Sequence, residues 1–179
     1  MPHRPPNLGW ALRAALLALL AGCTTLLNQF APPCPGQAIV GDAADFDIHR
    51  SGAGDLTDLV LHGRIVGLQG SCKAGTRKDQ LAVTVQLGVE ITRGPAMTGR
   101  EADVPVFIAV ADGTTVIDKR ALTMRVVFPS NVDRVVLSPG DMNLLLPVTP
   151  QKSGAAYTIL AGFQLAPDQM GRYRPSRMP

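Results

Sequence analysis

The chain is 179 residues long, 46% apolar and only 17% charged, and its glutamates are just Glu90 and Glu101. That is the length of one self-supporting domain, and because helix surfaces use Glu and Lys freely, the composition leans toward strands. The formal net charge is +3, but Arg4 and Arg13 lie within residues 1–22, and the remainder carries fifteen bases against fourteen acids; a field that weak excludes nucleic acid as an expected partner.

Residues 1–13 are polar and hold Arg4 and Arg13, and residues 14–21, AALLALLA, form an unbroken apolar run. A bilayer-spanning helix needs about 20 apolar residues, and extending this run backward would bury Arg13 in hydrocarbon. The pattern predicts an export signal over 1–22. Leu20-Ala21-Gly22-Cys23 then resembles the lipobox of bacterial lipoprotein precursors. The resemblance implies a diacylglycerol thioether on Cys23, cleavage after Gly22 and acylation, of the palmitate type, at the new amino terminus. Two or more acyl chains anchor stably where one binds only marginally. Thr24 in place of Asp implies sorting to the outer membrane, facing the periplasm, with the inner membrane as the alternative.

With Cys23 set aside, Cys34 and Cys72 remain. In an oxidising periplasm these two are expected to form a disulfide, and a loop of that length stabilises by roughly 4 kcal/mol on the chain-entropy estimate. A reactive or metal-bound thiol would want a CxxC partner or a nearby His, and neither cysteine has one. Residues 23–37 are Pro-rich and aperiodic and read as a tether, so the domain is expected over 38–166.

From there the hydrophobic pattern has period two. Leu81, Val83, Val85, Leu87, Val89 and Ile91 alternate with smaller or polar residues and predict a half-buried strand. Val104 to Val110, Leu122 to Phe128 and Tyr157 to Phe163 repeat the pattern, and less regular strands are expected over 59–68, 116–118, 132–137 and 142–148. Asp112-Gly113 is a hairpin signal, while Arg93-Gly94-Pro95, Phe128-Pro129-Ser130-Asn131 and Ser138-Pro139-Gly140-Asp141 mark longer turns. The glycines of GLQGSCKAG, 67–75, match no phosphate loop and read as turn residues. Seven to nine such strands predict an all-β fold, an antiparallel β-sandwich of immunoglobulin-like architecture, with a small β-barrel as the alternative.

Catalytic chemistry is sparse. His49 and His62 are the histidines beyond the leader, without the short-range companions of a zinc or hydrolase motif, and no G-x-S-x-G or S-x-x-K occurs. The densest polar stretch is the acidic loop from Asp42 to Asp58, with Asp42, Asp45, Asp47, His49 and Arg50 at its start. Several loop carboxylates suit calcium, so Asp42, Asp45 and Asp47 are weak metal candidates, although their spacing matches no calcium loop and the expectation is no metal and no cofactor. If Asp45 and Asp47 share a strand face, they repel unless hydrated or paired with Arg50. Aromatics are 4% of the chain and Trp10 lies in the leader, which leaves few stacking platforms for bases or sugars and makes a small-molecule ligand unexpected. The tail over 167–179 carries Arg172, Arg174 and Arg177 without an acid, a candidate contact for phosphate groups or an acidic partner and otherwise a solvated, flexible end.

Beyond the lipobox, LHGRIVGLQGSC, EITRGPA, DVPVFIAVAD and ILAGFQLAPDQM resemble runs in a family of small uncharacterised envelope lipoproteins, over about Leu59 to Met170. These are strand and turn sequences, so the resemblance implies no activity and no functional residue. The expectation is a lipid-anchored, non-catalytic interaction or assembly module with an envelope protein partner. The alternative is an envelope hydrolase or a metal- or ligand-binding protein using the acidic loop and His49.

Overall fold

Alternating hydrophobicity is realised as nine strands in a computed structural model that describes residues 32–50 and 55–165, all inside one compact unit beginning at Pro32. The strands are β1 (Gly36–Ile39), β2 (Asp45–His49), β3 (Leu59–Ala74), β4 (Gln80–Arg93), β5 (Glu101–Asp112), β6 (Thr115–Val127), β7 (Arg134–Leu137), β8 (Met142–Pro147) and β9 (Tyr157–Phe163). One sheet runs β1-β9-β5-β6 and the other runs β2-β3-β4, with β7 and β8 sharing the far edge of β4. The two pack face to face without closing into a barrel, so the sandwich expected from the alternation is the fold. Helical structure among the described residues is confined to short 3₁₀ turns.

The core follows from parity. Side chains alternate between faces along a strand, so Val83, Val85, Leu87, Val89 and Ile91 of β4 point to one side and meet Val104, Val106, Ile108 and Val110 of β5 and Ile159, Ala161 and Phe163 of β9, all buried. Phe46 enters from β2 and tilts against Phe163 with ring centroids 4.5 Å apart. It has room because its cross-strand neighbour is Gly63, where a Cβ would collide with the Phe46 ring. Tyr157, also buried, donates its hydroxyl to the Pro147 carbonyl at 2.7 Å and so fastens β9 to β8 across the sandwich.

Two strands extend beyond the sequence reading. β3 was expected to end near Leu68 but continues to Ala74, because Val66 forms a bulge between Ile65 and Gly67. An extra residue reverses the alternation: Leu61, Gly63 and Ile65 face the core before it, and Leu68, Gly70 and Cys72 after it. Gly67 and Gly70 therefore lie inside a strand and do not serve the turn assigned to them. Likewise 116–118 is no separate strand but the start of β6, where Ile117 is the residue left over as Val110 pairs with Asp118 and Ala111 with Val116. The hairpin joining β5 to β6 turns at Gly113-Thr114, with Gly113 at φ +58°, the first-position glycine of a type II′ turn. β1 and β2 are additions. Gly36 and Gln37, assigned to the tether, belong to β1, and Asp45–His49, assigned to an acidic loop, is a strand.

Candidate functional site

β2 decides what the acidic stretch can do. As the short edge of the second sheet, it places Asp45 opposite Arg64 and Asp47 opposite His62 of β3. Each carboxylate is paired across the strands: Asp45 Oδ1 accepts from Arg64 Nε at 2.7 Å, and Asp47 Oδ1 lies 2.8 Å from His62 Nδ1. The two aspartates do share a face, but their partners are Arg64, in an ion pair with Asp45, and His62, within hydrogen-bond distance of Asp47. Arg50 turns away and donates to the Ala96 carbonyl. Glu90 extends the charged face, with Arg134 at 3.8 Å.

The remaining candidates disperse. Asp42 sits in the 3₁₀ turn Gly41–Ala43 that carries the chain from one sheet to the other. His49 ends β2 and lies near Asp55, whose carboxyl is held below its ordinary range chiefly by the Thr57 backbone N–H, which donates to it at 3.0 Å, and to a small degree by His49. Among the described residues no group of three or more His, Cys, Asp or Glu is placed to hold a metal ion. The arginines of the basic tail, Arg172, Arg174 and Arg177, and the lipobox Cys23 lie outside the described residues.

Cys34 and Cys72 form a disulfide, with Cα atoms 5.7 Å apart and a sequence separation of 38. It joins the segment just ahead of β1 to the far half of β3, crossing from one sheet to the other. Residues 32–35 also rest on Gly154, where a Cβ would strike the Pro33 carbonyl.

Sequence reasoning did not foresee a set of arginines that hold loops in place. Arg93 donates to the Met97 carbonyl at 2.9 Å and the Gly99 carbonyl at 3.2 Å, and faces Asp133 at 3.4 Å. Arg100 donates to the Phe128 carbonyl at 3.0 Å and to that of Pro129. Together with Arg50 these side chains satisfy backbone oxygens of the 94–100 and 128–133 loops that no strand reaches. Lys152 forms an ion pair with Asp112 and lies 4.7 Å over the Tyr157 ring; the Asp112 hydrogen bond raises its pKa above the ordinary lysine value.

The sheet edges carry features that discourage strand addition. β1 and β2 are short, and β1 is preceded by Pro32, Pro33 and Pro35. The β7–β8 edge is interrupted at Pro139. On β6, Asp118 and Arg120 sit on the core-facing side opposite Val110 and Ile108, with Arg120 donating to the Asn143 carbonyl of β8 at 3.3 Å. Comparisons of the chain with protein-family models, with curated proteins and with solved structures return no match.

Proposed function

We propose that the chain is a lipid-anchored lipoprotein of the bacterial cell envelope whose β-sandwich faces the periplasm as a non-catalytic interaction module. The observation that carries the reading is the Cys34–Cys72 disulfide. Such bonds form and persist in oxidising compartments, which is where the export signal and the lipobox would deliver the domain. The cysteine count then closes, with Cys23 alone left for the lipid.

The geometry around the acidic stretch supports the non-catalytic part. Asp45 and Asp47 are each engaged by a basic side chain of the neighbouring strand, the arrangement of a stable cross-strand pair. Because the edges carry features against strand addition, the reading places partner contacts on the sheet faces and end loops.

Mass spectrometry of the protein purified from an envelope fraction tests the anchor. The expected species begins at Cys23 and carries acyl chains; an unmodified Cys23, or a different first residue, overturns it. In-cell crosslinking tests the module, with a reproducible envelope protein expected for the native chain and lost for Cys23→Ala.

A further inference from the structure

The outer face of the second sheet holds a groove that none of the features above uses. The β4–β8 ladder ends at Val85–Met142 and the β4–β7 ladder begins at Val89–Leu137, so Gln86, Leu87 and Gly88 have no strand partner on that side. The chain bridges the gap through Ser138-Pro139-Gly140-Asp141, turning at Gly140 with φ +95°. Directly across, Gly67 of β3 pairs with Gly88 of β4. The two glycines floor a groove of about 450 Å³, lined also by Gln69, Gln86, Ser138 and Asp141. A second lobe continues along the strands past Ser71 and Thr84.

The space is open rather than filled by neighbours, since a Cβ on Gly67 would meet nothing within 4 Å. Glycines inside strands mark bulges or places where a ligand comes close to the backbone; Gly67 adjoins the Val66 bulge, and Gly88 opposite it leaves the floor bare of side chains. The lining supplies neutral amides and hydroxyls, with Asp141 as its one charged side chain and no Lys or Arg. Gln86 Nε2 donates to Asp141 at 2.8 Å, which fixes its amide plane, and Thr84 donates to Asn143 at 3.0 Å. Gln69 and Ser71, both exposed, line the groove without a side-chain hydrogen bond among the described residues.

This chemistry selects among ligands. A phosphate or nucleotide is held by cations, whereas no Lys or Arg lines the groove and the Asp141 carboxylate repels an anion there. An added peptide strand draws its affinity from a run of unpaired main-chain groups along an edge, whereas the open stretch of β4 is only Gln86–Gly88, and along Gln69–Gln86 and Ser71–Thr84 the β3 and β4 backbones already pair with each other. Recognition on this face must use side-chain amides, hydroxyls and a carboxylate, and these match the hydroxyl and acetamido groups of an uncharged sugar chain. We infer that the groove is a binding site for a glycan strand bearing N-acetyl groups, running along β3 and β4 from Gly67 toward Ser71, with the amides of Gln69 and Gln86 on the acetamido groups and Asp141 accepting from a sugar hydroxyl. The site lacks an aromatic platform, so selectivity comes from amide pairing and not from stacking. It does not depend on the lipid anchor.

The test is titration of the purified full-length chain with chitotetraose, followed by calorimetry or ligand-observed NMR, with cellotetraose as the sugar lacking acetamido groups and an uncharged extended peptide as a further control. Saturable binding of chitotetraose at least about tenfold tighter than cellotetraose is expected. Gly67→Leu fills the groove and should abolish binding while the thermal transition stays where it was; Gln69→Ala should weaken binding about fivefold through a single exposed side chain. No saturable binding by the folded chain, equal binding of the two sugars, a preference for the peptide, or unchanged affinity in both variants would each overturn the inference.

Discussion

At the scale of single residues, Gly63 and Arg93 show how little of this domain tolerates nominally mild change. A Cβ at Gly63 would occupy space taken by the Phe46 ring and would also press on Ile91. Overpacking of a filled core costs about 1–3 kcal/mol, so Gly63→Ala should lower the unfolding free energy read from urea denaturation by that amount, while Gly67→Ala, with open space above it, should leave it near native. Arg93 reaches two carbonyls and a carboxylate with one planar group. A lysine cannot span them, and Arg93→Lys should destabilise by about 1–2 kcal/mol with the charge retained. Lys152 sets a pH dependence of known sign. Its raised pKa means that its contribution is fully present below the ordinary lysine value and fades as pH rises through the folded value. The stability gap between native chain and Lys152→Gln should therefore be flat through neutral pH and close only in strong alkali, as read by urea unfolding at a series of pH values. Asp55, with a lowered pKa, acts at the other end: its contribution holds at neutral pH and is lost only in acid.

At the scale of elements, legibility tracked regularity. β4, the central half of β5 and β9 alternate without interruption, and their inward residues were plain from parity alone. β3 was half legible because a bulge is a phase error: Val66 adds one residue, and the pattern resumes in opposite register. β2 was missed because its outward residues are Asp45, Asp47 and His49, which read as a solvated acidic loop until Arg64 and His62 are set beside them. Those partners lie 15 and 19 residues away, and no local pattern pairs them. The bulge makes a prediction. Deleting Val66 restores strict alternation with Ile65, Leu68 and Cys72 still facing the core, so the deletion should fold with a modest loss of thermal stability. Deleting Phe107 from β5, regularly paired on both sides, should not fold. The guarded β6 edge makes another: replacing Asp118 and Arg120 by Val should convert the chain to a concentration-dependent oligomer in analytical ultracentrifugation.

At the scale of the whole molecule, the disulfide and the terminal strands govern stability together. Reduction should lower stability by about 4 kcal/mol if chain entropy alone acts, and the double variant Cys34→Ser with Cys72→Ser should match the reduced protein in thermal unfolding. The fold class and the disulfide were readable from sequence because alternation and cysteine parity are properties of the chain itself. The groove was not, because it exists only where a break in one edge, two opposed glycines and the side chains of two strands coincide in space.

The parallel pairing of β1 with β9 has a mechanical meaning. β1 and β9, the first and last of the described strands, point the same way, so a pull between Gly36 and Phe163 slides the two strands along each other instead of peeling them apart. The four-residue β1 would be a weak grip. But tension arriving ahead of Cys34 crosses the disulfide to Cys72 before it reaches β1, and so loads the long ladder of β3 against β4. The covalent bond thus moves the point of attachment from a four-residue strand to the longest pair among the described strands.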